Sequence, residues 1–146
     1  MSGELNGGGF GYPVTLVWEY KDFETASTNS EVPSSNKLSY VVPTGYDLFV
    51  VGSQLTARDQ EWLSVGTVAA TMKRKTDESA ISNFPGVTAS TGSAALNNAS
   101  RFVSAGACRV GAGELVTVYL NTSADFSAAS EAVIVTCLVY GYLREA

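Results

Sequence analysis

The chain has 146 residues, 45% of them hydrophobic and 16% charged, which is enough apolar material for one domain with a sizeable core and too much for a globally disordered chain. Its 9 basic residues face 14 acidic ones, a net charge of −5, which argues against sequence-independent nucleic-acid binding, since that affinity comes from neutralising phosphates with Lys and Arg. It has no histidine, so the commonest general base and the commonest metal ligand are missing and a Ser-His-Asp triad within the chain is excluded.

Residues 1–12 carry Gly3, Gly7, Gly8, Gly9 and Gly11. Glycine loses the most backbone freedom on folding, so such a stretch orders itself at high entropic cost. Two readings stand: a flexible tail, or an arm that orders on a neighbouring subunit through Leu5, Phe10 and Tyr12. The opening residues lack a basic region followed by an apolar one, so no secretory signal is expected. No apolar run approaches the roughly 18 residues of a membrane span, so no membrane partner is expected either.

The remaining residues, 13–146, read as a single β domain. Pro13 to Phe23 forms the first strand, with Val14, Leu16, Trp18 and Tyr20 alternating against Thr15, Val17, Glu19 and Lys21. Residues 24–36 are rich in Ser, Thr and Asn and form a loop. Two apolar runs, Leu38 to Val42 and Tyr46 to Leu55, then flank Pro43-Thr44-Gly45. Pro43 presets φ for a tight turn and Gly45 accepts a positive φ, so the pair reads as a hairpin or as a sharp strand-to-strand corner. Gly52 inside the second run suggests a bulge or bend.

Arg58 to Glu61 is a polar turn, and Leu63 to Met72 the next strand, with Leu63, Val65, Thr67, Ala69 and Thr71 on one face. Lys73-Arg74-Lys75 ends it as a solvated strand terminus. Residues 76–107 show no strong period, and a stretch of that length usually carries function or mobility; an irregular strand near Phe84 to Ala89 and a short element near Leu96 to Val103 are the elements expected in it. Cys108 to Val110, Gly111-Ala112-Gly113 and Leu115 to Asn121 then repeat the strand, turn and strand logic of the earlier segment. These paired devices suggest a two-sheet antiparallel sandwich.

The last strand runs from Ala132 to Arg144. Its odd positions, Val133, Val135, Cys137, Val139, Gly141 and Leu143, form the expected core face. Its even face carries Ile134, Leu138, Tyr140 and Tyr142, too apolar for open solvent and too polar-tipped for a deep interior, and so the candidate partner interface. Cys108 and Cys137 read as buried thiols, with a disulfide only if the strands set them side by side.

Nothing else concentrates chemistry. The acidic groups Asp22 with Glu24, Asp59 with Glu61, and Asp77 with Glu78 lie at turns or strand ends, where solvated charge is the default. Trp18 and Trp62, with the tyrosines, suit a core or an interface better than a sugar-stacking platform. No catalytic residue, cofactor or metal site is expected.

The stretch YVVPTGYDLFVVGSQLT, with CRVGAGELVTVYL and a long final strand downstream, resembles the small jelly-roll proteins of tailed-phage virions. Capsid cement (decoration) proteins and jelly-roll fibre domains are of this kind. The matching features are the Val42-Pro43-Thr44-Gly45-Tyr46 corner and the Val110 to Val116 strand start, about a third of the chain. The resemblance implies an all-β, antiparallel jelly-roll sandwich of about eight strands. It also implies a homo-oligomer, a dimer or trimer, that binds the major capsid protein on the outer surface of a virion after synthesis in the host cytoplasm. The alternative it carries is a fibre module that grips host-surface carbohydrate or a receptor.

Overall fold

The computed structural model describes residues 11–23, 30–31, 39–59, 66–90, 97–124, 126 and 133–146. They form ten strands: β1 (Tyr12–Phe23), β2 (Ser30–Glu31), β3 (Tyr40–Val41), β4 (Tyr46–Asp59), β5 (Thr67–Arg74), β6 (Val87–Ser90), β7 (Asn97–Phe102), β8 (Cys108–Val110), β9 (Leu115–Thr122) and β10 (Val133–Glu145). No helix among them is long and apolar enough to cross a membrane.

All pairings are antiparallel, in two sheets. The first runs β1-β10-β4-β7, with β8 also on β4; the second runs β2-β9-β5-β6, with β3 also on β9. β7 and β8 share one edge of β4, and β2 and β3 share one edge of β9. Counting each of these pairs as one broken strand leaves eight positions. Their orders are first–eighth–third–sixth and second–seventh–fourth–fifth. That order is a jelly roll.

The core lies between the sheets. β10 buries Val135, Cys137 and Val139, as its odd-position pattern predicts, and β1 buries Leu16 and Trp18 opposite it. From the second sheet come Val68, Ala70 and Met72 of β5 and Val116, Val118 and Leu120 of β9. The inward face of β5 is therefore the one alternate to Thr67, Ala69 and Thr71, while Leu63 and Val65 lie outside the described residues. Cys108 and Cys137 are both buried and free. They flank β4 on opposite edges, Cys108 beside Val50 and Cys137 beside Leu55, a stagger that rules out a disulfide.

Two boundaries differ from the sequence reading. Tyr12, assigned there to the N-terminal arm, opens β1 and pairs with Leu143. Arg58 and Asp59, read as a turn, complete β4 because β10 is long enough to keep pairing with them. The stretch 76–107 holds β6 and β7, close to the irregular strand expected near Phe84 to Ala89 and the short element expected near Leu96 to Val103. Its Phe84-Pro85 segment is tied to the first sheet by the wholly buried Ser53 hydroxyl, which donates to the Pro85 carbonyl.

The Pro43-Thr44-Gly45 turn is a corner. β3 pairs with β9 in the second sheet and β4 with β10 in the first, so the chain changes sheets there, with Gly45 at φ 86°. Gly111-Ala112-Gly113 carries it back from β8 to β9, with Gly113 at φ 79°. The two corners are knitted together. The Val42 amide donates to the Glu114 carbonyl at 2.9 Å and the Gly113 amide to the Val42 carbonyl at 2.8 Å. The Asp47 carboxylate, 7% exposed, accepts from Arg109 Nε at 2.8 Å and from the Ala112 amide at 3.1 Å.

Candidate interaction surface

Strand alternation sends the residues between the core positions outward, so each sheet has an outer face. On the first sheet the register aligns these residues in rows. Tyr142 of β10 lies beside Phe49 of β4; Tyr140 lies beside Gly52, with Phe102 of β7 on its far side; Leu138 lies beside Val17 of β1 and Gln54 of β4.

The rows make an aromatic surface. Phe49 and Tyr142 stack with centroids 5.3 Å apart and planes 18° apart. Phe102 and Tyr140 also lie 18° from parallel, with centroids 6.4 Å apart across Gly52. Gly52 makes that approach possible: a Cβ there would fall 2.3 Å from a ring carbon of Phe102. β4 also bulges here, since Tyr140 pairs with Gly52 while Gly141 pairs with Val50, leaving Val51 without a partner on β10. The Tyr140 hydroxyl donates to Gln54 Oε1 at 2.9 Å, which fixes its ring and satisfies its polar tip. Phe102 is 65% exposed and Val17 36% exposed.

Tyr140, Tyr142, Leu138 and Ile134, the candidates read from the last strand, are thus on one face, half-buried by their cross-strand neighbours. Tyr12 lies apart from them. Its position alternates with theirs, and its ring meets Tyr46 edge-on at 6.0 Å. Leu5 and Phe10 lie outside the described residues. Sequence reading missed Phe49, Phe102 and Val17, whose places in the rows depend on partners distant in the chain. The available signal was Gly52, a glycine inside a strand, which marks close approach as well as a bulge.

The second sheet has a different outer face, carrying Thr67, Ala69, Thr71 and Lys73 of β5 with Tyr119 of β9. Lys73 Nζ lies 5.2 Å from the centre of the Tyr119 ring, a cation–π contact. Arg74 Nε is 3.2 Å from Glu114 Oε2, and Lys75 pairs with Glu31. The Lys73-Arg74-Lys75 run is therefore a set of paired cations on this side of the molecule.

A polar depression of about 480 Å³, lined by Glu31, Lys75, Asp77, Glu78 and Tyr119 among others, opens nearby. The Asp77 carboxylate is occupied with the amide and hydroxyl of Ser79, which hold it below its ordinary pKa. Among the described residues no group of three or more His, Cys, Asp or Glu is placed to hold a metal. Trp18 is wholly buried in the core and is not part of a surface platform. Burial pushes the Cys108 thiol up to about 11 and the Cys137 thiol up to about 12, so neither is a ready nucleophile at neutral pH.

No protein-family model matches the chain, and no curated protein matches it. Solved structures do. One is a chain of the native virion of Kashmir bee virus, 14% identical, aligned over 94% of this chain and 73% of that one with a TM-score of 0.47. Another is from sacbrood virus of honeybee, 9% identical over 95% of this chain and 73% of that one, TM-score 0.44. A third is from Triatoma virus, 12% identical over 95% of this chain and 67% of that one, TM-score 0.40. At this distance they carry no functional information beyond the jelly-roll order already read from the strand pairing. The sequence resemblance pointed to tailed-phage virions; these structures come from other viruses.

Proposed function

We propose that this chain is a structural virion protein that binds an assembled capsid and reinforces it, with the major capsid protein as partner and no reaction catalysed. The observation that carries the reading is the aromatic outer face of the first sheet. A mostly exposed Phe102 beside Tyr140, Tyr142 and Leu138 is costly to leave in water and is the composition of a partner-binding surface. Several copies acting together would multiply weak contacts through effective concentration. The N-terminal residues Leu5 and Phe10 belong to the proposal as additional contacts.

Co-sedimentation with purified capsids of the encoding virus tests it. The wild-type chain is expected to pellet with particles in saturable fashion. The doubly substituted Leu138→Ser, Tyr140→Ser chain should keep its β circular dichroism and lose most of that retention. A wild-type chain left wholly in the supernatant at saturating particle concentration overturns the reading. Retention on glycan-coated beads in place of capsids would move the function to host-surface recognition.

A further inference from the structure

The geometry points to a second copy of this chain as the occupant of the first sheet's outer face, the two copies packing face to face across a two-fold axis over the row of Tyr140, Gly52 and Phe102. This rests on the reading of that face as a contact surface and, with a second copy as its occupant, makes its role in capsid retention indirect, through the doubled valency of the pair.

Three observations favour a second copy. The first is size. The patch is four strands wide and runs from the Thr136 row to the Tyr142 row, roughly 20 Å by 25 Å from the usual strand spacing and rise. Two such patches in contact would remove on the order of 1,000 to 1,500 Å² from water, about the lower limit for a specific, stable pairing. One copy of this face therefore suffices to complete the other.

The second observation is the placement of charge. The described side chains in the middle of the patch are uncharged, so like meets like there without repulsion. The charged positions lie at the ends of the face: Arg144 and the Asp47–Arg109 pair at one, Glu19 beside Thr136 and Arg58 beside Ile134 at the other. A two-fold over the Tyr140 row therefore brings uncharged side chains against each other at its centre and leaves the charges at its margins. A two-fold interface must be self-complementary in this sense, residue i meeting j and j meeting i.

The third is shape. Gly52 and the bulge beside it bring Phe102 and Tyr140 together as near-parallel rings across one strand position. Tyr140 is held in place by Gln54 with Phe102 stacked against it, and a matching pair from a second copy can pack on the two rings.

Sedimentation velocity over a concentration series, with chemical cross-linking, tests the inference. The wild-type chain is expected to pass reversibly from monomer to dimer at micromolar concentration. Phe102→Ser and, separately, Val17→Ser should each weaken dimerisation by about tenfold or more with unchanged circular dichroism; both side chains are exposed in the single chain, so folding does not depend on them. For cross-linking, the native thiols are buried and free, so a bis-maleimide reads only an introduced cysteine. Ser100→Cys, exposed beside Gln54, should give a cross-linked dimer; Thr88→Cys, exposed on the outer face of the second sheet, should not.

A chain monomeric throughout, a trimer, dimerisation insensitive to Phe102→Ser, or cross-linking at Thr88→Cys but not Ser100→Cys each overturns the inference. A monomer that still pellets with capsids defeats only the two-fold, whereas a dimer that never pellets defeats only the capsid reading.

Discussion

The two outer faces of the sandwich are built on the same inner plan and have opposite surfaces. Within each sheet the strands bury alternate aliphatic residues: Val135, Cys137 and Val139 in one, Val68, Ala70 and Met72 in the other. Outward, the first sheet presents stacked rings and aliphatics, the second threonines with paired charges. Exposed ion pairs contribute little to stability because water competes for both partners. They do keep a surface wet and unattractive to other apolar surfaces. The aromatic face gains free energy only when something covers it. Inner alternation thus makes the sandwich, and outer composition decides which side associates.

Changes to the first sheet's backbone should separate the two faces most. A Cβ at Gly141 would fall 2.5 Å from the Phe49 carbonyl, a backbone atom that can yield only if the strand shifts. Gly141→Ala is expected to cost about 1–3 kcal/mol in thermal or urea unfolding, while Ala69→Val on the second sheet's outer face stays within about 0.5 kcal/mol. Equal losses for the two would show that the first sheet's close strand approach has no special cost.

A smaller and more selective effect is expected at Gly52. Its added Cβ would meet the Cδ1–Cε1 edge of the exposed Phe102 ring, which can swing away, and would stand 3.2 Å from the Arg101 carbonyl. Gly52→Ala should leave the melting temperature nearly unchanged but move Phe102 off the Tyr140 row and weaken self-association severalfold, both readable by aromatic NMR shifts and sedimentation.

The smallest effects belong to the charges beside the second sheet. Lys75 is held above its ordinary pKa of 10.5, chiefly by its hydrogen bond to Glu31. A raised folded-state value means that its contribution is full at neutral pH and is lost as pH climbs past 10.5 through the folded value. Asp77 is held below its ordinary value of 3.8, first by the Ser79 hydroxyl, so its contribution is full above that value and is lost as pH falls below it. Both groups are exposed, so Glu31→Gln and Asp77→Asn should each remove only a slight alkaline or acid dependence of the melting temperature. A large change from either would mean that the second face holds the sandwich together more than its exposure implies.

How far the sequence reaches follows the range of the contacts. The last strand was legible because its buried face alternates without interruption from Val135 to Val139. The bulge near Gly52 was legible because a glycine inside a strand has few local explanations. Whether Pro43-Thr44-Gly45 closes a hairpin or turns a corner was not, because the answer lies with Val116 and Leu115, the distant partners of β3. Phe102 was passed over for the same reason: among Ser and Asn it reads as isolated, and only pairing with Gly52 brings it to Tyr140. On β5 both alternating sets contain small residues, so composition did not identify the inward one.

The knitted corners also bear on how the chain reaches this state. Asp47 and Arg109 are 62 residues apart, and the Ala112 amide reaches Asp47 across 65. Neither bond can form until β4 and the segment from β8 to β9 have been brought together, at the full entropic cost of closing that loop. Local turns cannot supply such contacts early, so folding should be slow for a domain of this size, in the millisecond-to-second range of sheet proteins dominated by distant pairings. Substitutions at Asp47 should then show in the refolding rate as well as the unfolding rate, provided the corners join in the transition state.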